Sequence, residues 1–327
     1  MRILVTGGAG FIGSHFARRR VAAGDEVVVL DKLTYSGNRA NLDGVRCEFV
    51  EGDIADAATV AEAAKGCEAV VNFAAETHVD RSILDAGDFV RTDVVGTHVL
   101  LEWIRGSGAR LVQVSTDEVY GDIPRGTAAK ETDPLRPSSP YSASKAGGDL
   151  QVLAYGRTYG VDAMITRGAN TYGSHQHPEK LVPLFITNAL DAQPLPIYGD
   201  GRQRREWVHV DDHCAAIELV LADGKPGEVY NVSGVEQENF DVMLKILELT
   251  DADDRLLRHV EDRPGHDLRY ALDSTKLQAL GWSPRRDFDE GFEETVAWYR
   301  DNRAWWEAVK SGEYREYYAR QYSKRLD

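Results

Sequence analysis

Cysteine is scarce in this chain. Its 327 residues hold three, Cys47, Cys67 and Cys214, an odd and widely spaced set that offers neither a disulfide framework nor metal-ligand spacing. Free thiols in a reducing compartment are the reading that pattern supports. Positive charge is short as well. The 38 Lys and Arg against 53 Asp and Glu leave a formal charge of −15, which removes the basic footprint that nucleic acid or an anionic membrane requires. A small anion held by a few local cations is still compatible with that balance. Long apolar runs are missing too: nothing approaches the ~18 residues of a membrane span. The start, Met1-Arg2-Ile3-Leu4-Val5 broken by Gly7 and Gly8, lacks the apolar stretch and cleavage site of a signal peptide. A soluble, cytoplasmic protein is expected, without internal repeats or low-complexity segments.

What is abundant is alternation. Apolar runs that read as strands at 3–6, 26–30, 46–51, 69–73, 111–115 and 163–167 are separated by helical spacing at 12–23, 59–64, 89–105 and 142–159. Such alternation predicts βαβ units and an α/β fold with a Rossmann-type, doubly wound parallel sheet. Beyond residue 170 the pattern loosens around Pro178, Pro183, Pro194 and Pro196, and an apolar helix pattern returns near 207–221. We expect residues 1–170 to form a dinucleotide-binding domain, rejoined by segments near 207–232. Residues 171–327 then form mainly a smaller mixed α/β domain for substrate. Aromatic side chains crowd the end: Trp298, Tyr299, Trp305, Trp306, Tyr314, Tyr317, Tyr318 and Tyr322. Their helical spacing predicts packing into a core.

The first strand runs into Gly7-Gly8-Ala9-Gly10-Phe11-Ile12-Gly13. Gly7, Gly10 and Gly13 stand three apart between a strand and a helix start. Glycines there allow a tight turn and let the backbone approach a pyrophosphate seated on the helix N-terminus. The second strand ends at Asp31, 18 residues past Gly13. An acidic side chain at that point accepts hydrogen bonds from ribose hydroxyls and disfavours a 2′-phosphate, so NAD is expected over NADP, with Lys32 beside it. Asp53, after the third strand, suits the adenine end or a plain turn.

Tyr141-Ser142-Ala143-Ser144-Lys145 places a phenol and an ammonium at i and i+4, on one face of a predicted helix. The ammonium favours the phenolate and lowers the Tyr pKa toward working pH, and such a base can take the proton of a secondary alcohol while NAD takes the hydride. Ser115 or Thr116 offers a hydroxyl to the same oxygen. Two carboxylates follow at once, Asp117 and Glu118. Buried charge is costly unless paired, and neighbouring acids in a partly desolvated site push each other's pKa values apart, giving one protonated and one ionised carboxyl. Two solvated loop acids are the bland account. His209-Val210-Asp211-Asp212-His213 looks like a metal site, but a helix start capped by Asp211 or Asp212 explains it, and no metal is expected.

Together these segments resemble the extended short-chain dehydrogenase/reductases that act on nucleotide sugars, and within them the dTDP-glucose 4,6-dehydratases. The resemblance is carried by residues 6–15, 31–37, 74–82, 115–121 and 139–145, and further by 178–181, 195–199, 205–209 and 262–267, in order along essentially the whole chain. It implies NAD contacts from Gly7, Gly10, Phe11, Ile12, Gly13, Asp31, Lys32, Thr34, Gly37, Asp53, Ile54, Phe73, Ala74, Ala75, Thr92, Ser115, Tyr141 and Lys145. It also implies a reaction. Tyr141, with Thr116 and Lys145, removes the C4 hydroxyl proton; Glu118 removes the C5 proton; Asp117 protonates the departing C6 hydroxyl; hydride then returns to C6. The product is a nucleotide-linked 4-keto-6-deoxyglucose. Arg205 and Arg263 would hold the diphosphate and nucleotide. Around the substrate would stand Thr77, Thr116, Glu118, Asn170, Lys180, Leu181, Pro196, Tyr198, Asn231, His266 and Tyr322. A homodimer through the helices near 89–105 and 142–159 is implied as well, with Val95, Val99 and Leu153 on faces that serve either an interface or packing on their own sheet.

One stretch departs from the family. Gly168-Ala169-Asn170-Thr171-Tyr172-Gly173-Ser174 carries Thr171 and Ser174 where a second Asn and a Pro are common. A 4-epimerase, a decarboxylase or a UDP-glucose 4,6-dehydratase of the same fold is the rival reading, and a non-catalytic NAD sensor is a more distant one. Epimerases and decarboxylases usually lack the Asp117–Glu118 pair. A sensor has no use for Tyr141 and Lys145.

Overall fold

The computed structural model describes residues 1–326, apart from the side chains of residues 313 and 323–326. The strands run β1 (Arg2–Thr6), β2 (Glu26–Asp31), β3 (Glu48–Glu51), β4 (Ala69–Asn72), β5 (Arg110–Thr116), β6 (Ala163–Gly168), β7 (Asn170–Tyr172), β8 (Leu195–Tyr198), β9 (Arg204–His209), β10 (Val229–Val232), β11 (Val235–Glu238) and β12 (Leu257–Val260). Seven of them make one sheet in the order β10-β6-β5-β4-β1-β2-β3, every neighbouring pair parallel. Its central strands are Val, Ile and Leu runs because both faces are covered. Ile3 and Val5 enter one core while Leu4 enters the other. Chain order reverses between β1 and β4, and the crevice at the carboxyl ends of strands beside such a reversal is where ligands bind in this architecture.

The expected helix over 89–105 arrives in pieces: Gly87–Val90, a π-turn at Arg91–Gly96, then Thr97–Ser107. The helix Pro140–Tyr159 starts firmly, with a Ser139–Ser142 capping box and proline in its first turn, which fixes where Tyr141 and Lys145 stand. β9 runs parallel to β7 and antiparallel to β11, and β8 pairs with β12. With the helices Leu181–Leu190, Asn239–Thr250 and Phe288–Asp301, these strands enclose a third core drawn from residues 172–322.

The aromatic tail packs as its spacing predicts: Tyr299, Trp306, Tyr314, Tyr317 and Tyr322 are buried, with Trp298, Trp305 and Tyr318 packed beside them. The apolar helix expected near 207–221 is Val210–Asp223, which follows directly on Trp207–His209 at the end of β9. Two details differ from expectation. That helix is capped by neither aspartate but by His209, whose Nδ1 accepts from the Asp211 amide at 3.2 Å. Asp212 serves a neighbour instead, accepting from the amides of Arg285 and Arg286 at 3.0 Å. The return to the sheet layer also extends beyond 207–232, because Leu272, Leu277 and Trp282 join the same core. Among the described residues no helix is long and apolar enough to cross a membrane and no His, Cys, Asp and Glu cluster could hold a metal.

Candidate active site

A cleft of about 270 Å³ runs along the carboxyl ends of β1, β4 and β5. All the residues expected to contact NAD line it, from Gly7 and Asp31 to Tyr141 and Lys145. The glycines are required by space. Gly7 sits at φ +64°, a Cβ on it would stand 2.6 Å from the Ala74 nitrogen, and one on Gly13 would stand 2.4 Å from the Gly7 carbonyl oxygen. Strand, turn and helix start therefore close on one another, leaving backbone for a pyrophosphate. Asp31 is buried and accepts from the amides of Ala9 at 2.9 Å and Leu33 at 2.8 Å. One carboxylate thus ties the glycine turn to β2 and faces the cleft. Burial raises its pKa, opposed by those two amides and by Lys32. Lys32 is engaged elsewhere, donating to Thr92 Oγ1 at 3.1 Å and pairing with Glu76 at 3.2 Å. Asp53 accepts from the Ala55 amide at 2.8 Å in a turn and also lines the cleft. These residues fit a dinucleotide whose ribose carries no 2′-phosphate.

β5 delivers Ser115 and Thr116 to the floor of this cleft, and a 3₁₀ turn, Asp117–Tyr120, begins at once. Thr116 caps the turn, accepting from the Glu118 amide at 3.3 Å and donating to Asp117 Oδ1 at 3.1 Å. That local capping tucks the acids inward. Asp117 is 3% exposed, so the solvated-loop account fails for it. Its carboxyl is pushed well above the ordinary value by burial and then by Glu118, with Arg205 the opposing cation. Burial raises Glu118 too, but Arg263, Arg205 and Lys180 all oppose. The pair is asymmetric: the environment favours the proton on Asp117 and the charge on Glu118.

Tyr141 and Lys145 share this cleft. The expected depression of the Tyr141 pKa is not produced by the protein's own groups. Burial pushes the phenol well above its ordinary value, Glu118 and Asp93 add to that, and the hydrogen bond with Thr116 opposes it. The Lys145 ammonium donates to the Val114 carbonyl at 2.8 Å.

A second cleft of about 140 Å³ adjoins the first, and Glu118, Asn170, Lys180, Leu181 and Trp207 line both. Pro196, Tyr198, Arg205, Arg263, His266 and Tyr322 line it. Arg205 is braced by the carbonyl of Asp267 at 2.9 Å and lies 4.2 Å over the Tyr270 ring; Arg263 approaches Asp80 at 3.5 Å. Lys180 donates to the Thr77 carbonyl, and Thr77 lines the first cleft. His266 is pushed down to about 4 by burial and by the two arginines, so near neutral pH it adds no charge there.

Asn231 does not join them. It is fully buried in β10, lines neither cleft, donates to the carbonyls of Ala129 and Asp273 and accepts from the Tyr120 hydroxyl at 2.8 Å. Its polarity is consumed in stitching loops to the sheet edge. Conversely, the structure adds Asp80, Gln203, Trp207, Asn239 and Met243 to the second cleft. Asp80 and Trp207 lie inside quoted segments, so proximity in sequence was a usable signal; nothing marked Asn239 or Met243. The two departures are absorbed by histidines: Thr171 Oγ1 bonds His213 Nδ1 at 2.7 Å, and the Ser174 carbonyl bonds His15 Nε2 at 3.0 Å.

The family model described as GDP-mannose 4,6 dehydratase matches residues 4–295. A dTDP-glucose 4,6-dehydratase of Streptomyces niveus is 54% identical over 324 residues, spanning 95% of this chain and 96% of its own length. The chain belongs to the 4,6-dehydratase family. Among solved structures, a dTDP-glucose 4,6-dehydratase from Streptomyces venezuelae with NAD bound matches with a TM-score of 0.92 at 54% identity, covering 95% of this chain and 100% of that one. The UDP-glucose 4-epimerase of Thermus thermophilus in complex with NAD reaches a TM-score of 0.87 at 35% identity, covering 92% of this chain and 100% of that one. An epimerase shares the fold, so fold alone does not separate the two reactions. On the sequence reading, that distinction in this member of the 4,6-dehydratase family falls to Asp117 and Glu118 after β5.

Proposed function

We propose that the protein is a hydro-lyase that uses NAD to convert dTDP-glucose to dTDP-4-keto-6-deoxyglucose. The observation that carries this reading is the buried Asp117 beside a Glu118 flanked by three cations. NAD, which the residues of the first cleft would hold, would supply a reversible hydride acceptor for the oxidation at C4 and the reduction at C6. Everything else falls to this chain. Tyr141, hydrogen-bonded to Thr116, takes the C4 hydroxyl proton. The resulting ketone acidifies C5–H, Glu118 removes that proton, and Asp117 supplies a proton to the leaving C6 hydroxyl, so water departs. Arg205 and Arg263 hold the diphosphate by charge and planar geometry. Residues 1–170, with the returning segments, serve the cofactor, and residues 171–327 serve mainly the nucleotide.

A cytoplasmic homodimer completes the reading. Three unpaired thiols agree with a reducing compartment. Leu84, Val90, Val95, Leu150 and Tyr159 are exposed at 43–57% on adjoining helices, an apolar patch of the kind that marks an interface. Val99 and Leu153 pack instead against the protein's own core. A panel of dTDP-, UDP-, GDP- and CDP-glucose, followed by the alkaline absorbance of the 4-keto product, tests the assignment. Turnover restricted to dTDP-glucose is expected. Turnover on another nucleotide alone, or epimerisation without loss of water, would displace it.

A further inference from the structure

The helix between Gly87 and Ser107 is irregular for a reason that can be read from its inner side. Its π-turn, Arg91–Gly96, buries Thr92 and Asp93, and π-turns concentrate at functional positions. Thr92 reaches the cofactor cleft. Asp93, 1% exposed, meets the helix Pro140–Tyr159. That approach is close because two glycines permit it: a Cβ on Gly148 would stand 2.7 Å from the Asp93 carbonyl oxygen, and one on Gly147 would stand 2.8 Å from Val94. Asp93 Oδ2 accepts from Ser144 Oγ at 2.5 Å. Oδ1 has no hydrogen-bond partner among the described residues and stands 3.9 Å from Lys145 Nζ. Lys145 is itself 4% exposed, with one donor occupied by Val114. An ammonium so buried needs a counter-charge.

We propose that Asp93 is a positioning residue: its buried carboxylate balances the Lys145 ammonium and fixes it between the Val114 carbonyl and the cofactor cleft. The proposal rests on Lys145 acting as the partner of Tyr141 and the cofactor. Asp93 is faced by Lys145, Tyr141 and Asp149 from the helix Pro140–Tyr159 and by Glu76 from the loop after β4. Burial, the largest effect, raises its carboxyl to about 6, with Lys145 and Ser144 opposing and Glu76 and Asp149 adding. Above that value the carboxylate is charged and holds Lys145; as pH falls through it, the carboxyl gains a proton and the hold is lost.

The test follows NADH binding by fluorescence, and turnover of dTDP-glucose, from pH 5 to 8 in the wild type, Asp93→Asn and Ser144→Ala. In the wild type both NADH affinity and kcat fall as pH drops through about 6. Asp93→Asn lowers kcat about tenfold or more with KM little changed, and removes the acid-side step from both readouts. Ser144→Ala deletes a donor that favours the carboxylate, so its step moves to higher pH. A merely structural residue would scale activity without moving the step. An unchanged step in Asp93→Asn overturns the proposal, and should that variant fail to fold, an unmoved step in Ser144→Ala does so. The NADH measurement needs no sugar substrate, so it decides the role of Asp93 independently of the dTDP-glucose assignment.

Discussion

At the scale of single residues, the roles proposed for the two adjacent acids, Asp117 and Glu118, predict that oxidation and elimination can be separated. Asp117→Asn and Glu118→Gln leave Tyr141 and the cofactor cleft intact, so C4 oxidation persists while loss of water slows by about 10²- to 10⁴-fold, the usual worth of one acid–base group. Absorbance of reduced cofactor on the enzyme, set against product formation, measures the split; unimpaired dehydration in both variants would remove these roles. A third acid nearby governs stability. Glu206 raises the carboxyl of Asp117, and burial pushes Glu206 itself up to about 7 despite bonds from the amides of Gly234 and Leu272. Its folded value exceeds the ordinary 4.5, so the folded state holds this proton more tightly. The stability it confers is full below 4.5 and is lost as pH rises through about 7. Glu206→Gln keeps an acceptor oxygen and flattens that loss. Urea midpoints between pH 5 and 8 should show it, and equal falls in both proteins would clear this carboxyl of responsibility.

At the scale of elements, the strand–turn–helix that opens the chain, with its turn at the carboxyl end of β1, is a steric statement. Gly13→Ala drives a methyl group to 2.4 Å from the Gly7 carbonyl, so the helix start must shift from the turn. NAD affinity falls at least about tenfold, or about 1.4 kcal/mol, by calorimetric titration; unchanged affinity would mean that the turn adapts freely. This element was legible in the sequence because its chemistry is local: spacing of glycines, a preceding strand, and an acid at the end of β2. The π-turn at Arg91–Gly96 was not, since apolar spacing at 89–105 cannot report one inserted residue. Asn231 misled for a related reason. The family resemblance placed it around the substrate, while its bonds to Ala129 and Asp273 come from loops whose arrival at the sheet edge no local pattern records. Asn239 and Met243 reach the second cleft through a helix packed by tertiary contacts alone.

At the scale of the whole molecule, the exposed patch of Val90, Val95 and Leu150 makes the assembly testable. Leu150→Glu places a charge where the side chain is 57% exposed, so folding is preserved and the proposed homodimer is expected to dissociate on size-exclusion chromatography with light scattering. A variant that remains dimeric would move the interface elsewhere. The alternation of strands and helices and the order of the site segments were readable along the chain, since a doubly wound sheet repeats one local pattern. The layout of β7, β8, β9, β11 and β12 was not, because short strands that follow proline-rich loops choose their partners by packing.

The wall of five residues shared by the two clefts bears on inhibitor chemistry. A fragment that fills the dinucleotide cleft and one that fills the nucleotide cleft would approach one another across Glu118 and Trp207, side chains that both clefts share. Joined by a short tether there, the second fragment binds as an intramolecular event at millimolar effective concentration, and avidity of about 10²- to 10⁴-fold over either half follows without any new contact. A linked pair that bound no better than its stronger half would show that the wall closes between the clefts.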